Sequence, residues 1–372
     1  MAPSPTLQRY AIYTGGFLGP FSGQALGVIL PEFGASFGLG VNQAALTLTV
    51  YLLPFALVML FSTNLIRALS PSSVIYWAYA VTLACAVVLI ATPWWWLFLV
   101  AYGVMGIANA FTTPVLQIVL KRITPAGELG GALGTYTAMQ SLGILCAPFI
   151  AGLAAGVSWR LIFVLTLLGV LFVLLVKVPH VPALPRTAAR AEAIDWPVIS
   201  AKMVGCYAIG VSVIGLAFIV ALQAGNRFDL SPAARGLVVM CGGLASFIFS
   251  RQLGRKTDAL GAGKMVVLSL AVAALCTGLI PLLPSVWLLA PVWGITVLAA
   301  QTAQTSINME TLRARGGERV LSTVQAFRYF GSSSTPIIML PLFNLHPVWG
   351  FGAAAAVILL ALLAQLPGLK RS

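Results

Sequence analysis

From residue 10 to residue 367 the chain passes through one uncharged or nearly uncharged stretch after another, each close to the length of a bilayer crossing. A helix needs about 20 apolar residues to span a hydrocarbon core, and helices are favoured there because lipid offers backbone N–H and C=O groups no partner. Twelve such stretches can be marked, at 10–31, 44–66, 73–93, 95–118, 129–153, 161–176, 203–224, 233–250, 265–283, 285–308, 320–343 and 347–367. The expected fold class is therefore all-α integral membrane, with twelve transmembrane helices. By this reading the one charge deep within a stretch is Arg328, in the eleventh, and Arg235 stands at the outer end of the eighth. A composition of 60% hydrophobic and 8% charged residues excludes a water-soluble domain of this size.

The net charge of +13 raises the question of a nucleic-acid partner, and the placement of the basic residues answers it. With a cytoplasmic N-terminus, 17 of the 21 Lys and Arg fall in inside loops and tails. Three, Arg160, Arg227 and Arg235, fall outside, and Arg328 lies within a span. That bias is the positive-inside pattern and assigns both termini to the cytoplasm. The charge is topological, and no nucleic acid is expected. The cysteines (Cys85, Cys146, Cys206, Cys241 and Cys276) all fall inside spans without C-x-x-C spacing, which reads as small apolar packing. His180 and His346 lie in separate loops, so no metal site and no cofactor is expected. The first span is too long, and its end too unlike a small-residue cleavage site, to be a removed signal peptide.

The segment 178–197, "VPHVPALPRTAARAEAIDWP", has four prolines and no apolar periodicity. It reads as a cytoplasmic linker joining an N-terminal six-helix bundle, 1–177, to a C-terminal one, 198–372. A shift of about 188–191 residues brings the halves into register. Gly106-Ile107 falls on Gly294-Ile295, and Gln140-x-x-Gly143-x-x-x-x-Pro148 falls on Arg328-x-x-Gly331-x-x-x-x-Pro336. Halves of the same topology would be parallel repeats about an axis along the membrane normal.

Several motifs carry a family resemblance. Gly254, Asp258, Gly261 and Lys264 in "GRKTDALGAGKMVVL" match a G-x-x-x-D-x-x-G-x-x-K loop signature. "GILCAPFIAG", Gly143 to Gly152, is similar to an exporter signature of the fifth span, and "WRLIFV" at 159–164 looks like the opening of the sixth. On these residues the chain resembles the major facilitator superfamily over essentially its whole length, and within it the drug and metabolite efflux, drug:proton antiporter-like branch. The resemblance implies two six-helix bundles around a central cavity lined by the first, fourth, seventh and tenth spans.

The departures bear on coupling. Arg67 stands where the first-half loop signature has its aspartate, Tyr102 where the fourth span normally has an arginine, and Ala147 where the exporter signature has a glycine. No span as delimited contains Asp or Glu. Partners are expected to be a small-molecule substrate, the lipid bilayer and, where coupling exists, a proton, with the chain acting as a monomer.

The side chains expected to face substrate are Tyr13, Phe17 and Gln24 from span one, Tyr102, Asn109 and Thr113 from span four, and Gln140 from span five. The second half offers Tyr207, the stripe Gln301, Gln304 and Asn308 on one face of span ten, and Arg328. Inter-helix hydrogen bonding is the competing reading for the polar ones. For Arg328 it is snorkelling, since about eight residues at 1.5 Å each place it roughly 12 Å into its span. Gly254, Arg255, Asp258 and Gly261 are expected to form a conformational latch. Gly143 and Pro148, with Gly331 and Pro336, are expected to form bendable segments.

The function expected is secondary active transport by alternating access at a bacterial inner membrane. It would export a small amphiphilic, neutral or weakly anionic compound, and no enzyme activity is expected. The alternative is uptake or facilitated diffusion of a sugar, an organic anion or a metal-chelate metabolite.

Overall fold

The computed structural model describes residues 4–65, 69–125, 129–182, 194–315 and 317–369, and every regular segment among them is helical. Two compact units divide the chain, Met1–Ala188 and Ala189–Ser372. The division falls within the segment expected to be the linker, of which residues 183–193 lie outside those described.

The first unit holds α1 (Pro5–Gln24), α2 (Leu30–Ser36), α3 (Val41–Leu65), α4 (Pro71–Ala91), α5 (Trp95–Ile123), α6 (Leu129–Ala155) and α7 (Leu161–Val176). The second holds α8 (Trp196–Gly210), α9 (Leu216–Phe228), α10 (Pro232–Leu260), α11 (Ala262–Leu279), α12 (Val286–Arg313), α13 (Gly317–Leu345) and α14 (Pro347–Leu369). Among the described residues nine helices are long and apolar enough to cross a membrane, with α8 and α9 counted as one run, and α7 is apolar over 16 residues. The helices α1 and α13, which carry several of the polar side chains of interest, fall outside that set.

Each unit is built by the same helix pairings. In the first, α5 packs on α3 and α4, α7 on α4, and α1 on α6 and α7; in the second, α12 packs on α10 and α11, α14 on α11, and α8 on α13 and α14. The closest crossings repeat at the offset of the sequence repeat. A Cβ on Gly143 would stand 2.5 Å from the Phe17 carbonyl oxygen, and one on Gly331 would collide with the Tyr207 carbonyl. Gly106 is pressed against the Tyr51 carbonyl, while its counterpart Gly294 meets the Cys241 carbonyl more loosely, with a Cβ there standing 3.5 Å away. Small residues allow this backbone-to-backbone approach where lipid supplies no hydrophobic drive for helix association.

The first long helix of each unit is broken. The stretch expected to be one span over 10–31 ends as α1 at Gln24, passes through a 3-10 turn at Ala25–Val28, and resumes as α2. Its counterpart ends as α8 at Gly210 and enters a π-helical turn at Val211–Gly215 before α9. Pro148 and Pro336, by contrast, sit inside helices that continue through them.

Arginines on the short connections serve packing. Arg160 donates from Nε to the Ile90 carbonyl (2.9 Å) and from Nη2 to the Thr92 carbonyl (3.1 Å), closing the C-terminus of α4, while its guanidinium lies 4.4 Å from the Trp159 ring centre. Arg227 donates to the Pro281 carbonyl at 2.6 Å.

Candidate functional site

In the second unit the crossing of α8 and α13 organises the polar groups. Gly210 has no room for a Cβ against the backbone of Arg328, and Gly331 has none against Tyr207, so the two helices touch main chain to main chain. Arg328, one turn before Gly331, is thereby pressed against α8 where its α-helical hydrogen bonding gives way to the π turn. Such turns leave backbone groups without their usual partners and are frequent at functional sites. The Ser332 hydroxyl serves this break, lying within donating distance of the Gly210 carbonyl (3.0 Å) and of the Arg328 carbonyl (2.9 Å). One turn from Gly210 along α8, the Tyr207 hydroxyl hydrogen-bonds the Ser334 hydroxyl at 2.7 Å.

From α12, Gln304 is buried and donates from Nε2 to Asn308 Oδ1 (3.0 Å) and to Cys206 Sγ (3.3 Å). Its own carbonyl oxygen is buried without a hydrogen-bond partner. Arg328 lies within electrostatic reach of the same Cys206. Its Nε and Nη2 are both buried and neither makes a hydrogen bond. A guanidinium is five donors in a rigid fork, and Nε with an Nη forms one edge of it, the edge that takes a carboxylate side-on. Buried polar groups are nearly always paired, and this edge departs from that rule.

A second polar cluster joins the other end of α8 to α12 and α14. Lys202, only 5% exposed, forms an ion pair with Glu310. It also donates to Gln365 Oε1 at 2.9 Å, and Gln365 Nε2 donates to the Ala201 carbonyl at 2.5 Å. This corrects two expectations, that Arg328 is the one charge deep within a span and that no span holds an acid. The helices continue past the uncharged stretches, and the membrane-length segments Trp196–Phe228 and Val286–Thr311 take in Lys202 and Glu310. Each ion tolerates its burial because it has the other. Sequence reasoning missed the pair by ending the spans at the first charge. The signal available was that Lys202, Cys206 and Ile209 share one helical face.

The remaining expected residues divide into two groups. In the first unit Tyr102 is fully buried with its hydroxyl donated to the Ser22 carbonyl (2.8 Å), and Asn109 donates to the Tyr51 hydroxyl (2.8 Å). Both side chains thus have inter-helix partners. Tyr13, Phe17, Gln24, Thr113 and Gln140 are partly exposed, with Phe17 stacked on Phe21 at 5.2 Å between ring centres. On α12, Gln301 is partly exposed and is joined only through its carbonyl, which accepts from Thr305 at 3.1 Å. The stripe therefore splits, with Gln304 and Asn308 in the cluster and Gln301 beside it.

Of the expected latch, Gly261 ends α10 with φ 87, a value that favours glycine. Gly254, Arg255 and Asp258 lie on α10, and their side-chain surroundings are outside the described set.

A protein-family model described as the Major Facilitator Superfamily matches residues 12–336. Comparison with curated protein sequences gives no significant match. Among solved structures, the chain is similar to the human organic anion transporter MFSD10 (TETRAN), at 14% identity and TM-score 0.72, covering 98% of this chain and 100% of that one. It is also similar to a peptide transporter POT in complex with sulfate, at 15% identity and TM-score 0.77, covering 98% and 94%.

Proposed function

The chain belongs to the Major Facilitator Superfamily, a family of membrane transporters rather than enzymes, and from that premise we propose that it exports a small, weakly anionic amphiphile by alternating access. Arg328 is the residue that holds the anionic group. The observation that carries this reading is the open edge of its guanidinium, Nε and Nη2, buried and without acceptors. Gln304, with a buried carbonyl free to accept, would take a hydroxyl or N–H elsewhere on the same substrate. Tyr207, Asn308 and the partly exposed Gln301 complete a lining that is polar and, among the described residues, pairs no carboxylate with the arginine, which disfavours organic cations. Anion transport by one of the similar structures is in keeping with this choice.

We place the chain in a bacterial-type inner membrane, and the positive-inside distribution supports putting both termini in the cytoplasm. The monomer is taken as the working unit. Coupling to protons needs a group that gains and loses one during the cycle, and Glu310, partly buried and paired with Lys202, is available for it. Uptake or facilitated diffusion is the second reading, favoured by Arg67 in place of the first-half loop acid.

Reconstituted vesicles loaded with a panel of aryl and alkyl carboxylates, each beside its methyl ester, test the substrate class. The acids should move and the esters should not. Equal flux of acid and ester would remove the anion from the proposal. The same vesicles with an imposed pH gradient test coupling, since flux indifferent to the gradient leaves facilitated diffusion.

A further inference from the structure

The first unit contains a cavity of about 260 Å³ where the start of α4 meets the chain leaving α7. Its polar lining is Ser72, Ser73, Tyr76, Trp77, Lys177 and His180. The two segments are stitched together. The Ser70 hydroxyl donates to the Val181 carbonyl (2.8 Å), the Val181 N–H donates to Ser72 Oγ (3.2 Å), and Ser72 Oγ lies 3.4 Å from His180 Nδ1. The turn that makes this possible places Lys177 at φ 60, ψ 146, backbone that a non-glycine residue adopts at a cost of about 1–3 kcal/mol. Among the described residues no carboxylate lines the cavity, and the charged group there is the exposed Lys177 ammonium.

We propose that this cavity binds the phosphodiester headgroup of an anionic phospholipid of the phosphatidylglycerol class. Tyr76 and Trp77, in ring contact at 5.6 Å between centres, are 47% and 67% exposed on the opening turns of a membrane-length helix. Aromatic side chains with a polar edge collect at the level of lipid headgroups. The positive-inside distribution puts this end of the unit on the cytoplasmic face, where anionic lipid attracts basic residues. The volume is below the roughly 300–1,000 Å³ of a pocket for a drug-sized molecule and suits a headgroup. This proposal is independent of the transported substrate and of Arg328.

The test is native mass spectrometry of the detergent-purified full chain with phosphatidylglycerol, phosphatidylcholine, or soluble glycerol 3-phosphate. Phosphatidylglycerol should bind at least fivefold more tightly than phosphatidylcholine, and glycerol 3-phosphate should not compete. Lys177→Gly suits the left-handed backbone while removing the ammonium. It should keep the fold and lose about fivefold in that preference, the effect of about 1 kcal/mol per basic residue beside anionic lipid. Trp77→Ala should weaken both lipids, and Arg328→Gln should change neither. Equal binding of the two lipids, or an unchanged preference in Lys177→Gly, overturns the proposal. Competition by glycerol 3-phosphate overturns the lipid as occupant.

Discussion

Replacing Arg328 with glutamine removes the charge and the fork while keeping a shorter polar side chain, the residue that stands as Gln140 at the same point of the first unit. In the empty protein Nε and Nη2 are buried without acceptors, so the variant relieves a desolvated charge and should be no less stable than wild type, gaining up to a few kcal/mol. Substrate binding should move the opposite way. Two charge-assisted hydrogen bonds at about 1.5–3 kcal/mol each set an upper range of about 3–6 kcal/mol. The lower end alone corresponds to roughly 100-fold in affinity, since about 1.4 kcal/mol is tenfold. Initial-rate uptake into vesicles, with thermal unfolding in detergent on the same preparations, reads both quantities. Arg328→Gln should fold, insert and unfold at or above the wild-type temperature, with apparent KM raised by about two orders of magnitude. Arg328→Lys should lie between, because an ammonium keeps the charge and loses the side-on geometry. Wild-type flux in Arg328→Gln would return the guanidinium to the snorkelling reading. A lowered unfolding temperature would mean that it holds the fold rather than the substrate.

The other predictions concern packing and coupling. Glu310→Gln leaves Lys202 buried beside a neutral partner and should cost about 3–5 kcal/mol of stability, while Lys202→Met with Glu310→Gln should recover part of it; thermal unfolding of the three variants decides. If Glu310 carries the coupled proton, the double variant should still bind substrate yet show flux that no longer follows an imposed pH gradient. Gly331→Ala should impair folding more than Gly294→Ala, because the first Cβ meets the Tyr207 carbonyl and the second would stand 3.5 Å from the Cys241 carbonyl, an ordinary contact. Membrane expression levels of the two variants measure that difference. Arg160→Ala should destabilise by about 1–2 kcal/mol through loss of the α4 closure and the Trp159 stacking, without altering transport.

How much of this was legible beforehand depended on whether the signal was compositional or geometric. The all-helical membrane class and the superfamily were readable, because apolar length and loop signatures are properties of the chain itself, whereas the count of twelve spans was not reproduced among the described residues. Helix ends were not. Lys202 and Glu310 look like loop charges until α8 and α12 bring them together, and for an ion pair formed over 108 residues the local trace is no more than the face Lys202 shares with Cys206 and Ile209. The break at Val211–Gly215 was equally silent, since nothing in "VSVIG" but its flanking glycines distinguishes a π turn from an α turn.

The repeat links the two kinds of signal. Offsets of 188 and 190 relate both Gly143 to Gly331 and Phe17 to Tyr207, so the sequence register and the backbone crossing are the same symmetry seen twice. On that shared scaffold the units diverge at one place, where α1 softens into a 3-10 turn and α8 into a π turn. The charge diverges one turn before the crossing on the partner helix, Gln140 in one unit and Arg328 in the other. Packing accounts for what the halves keep in common, because each glycine is fixed by a carbonyl against it. Packing does not account for a guanidinium with an unpaired edge where the other half makes do with an amide, and the anion recognition we propose would.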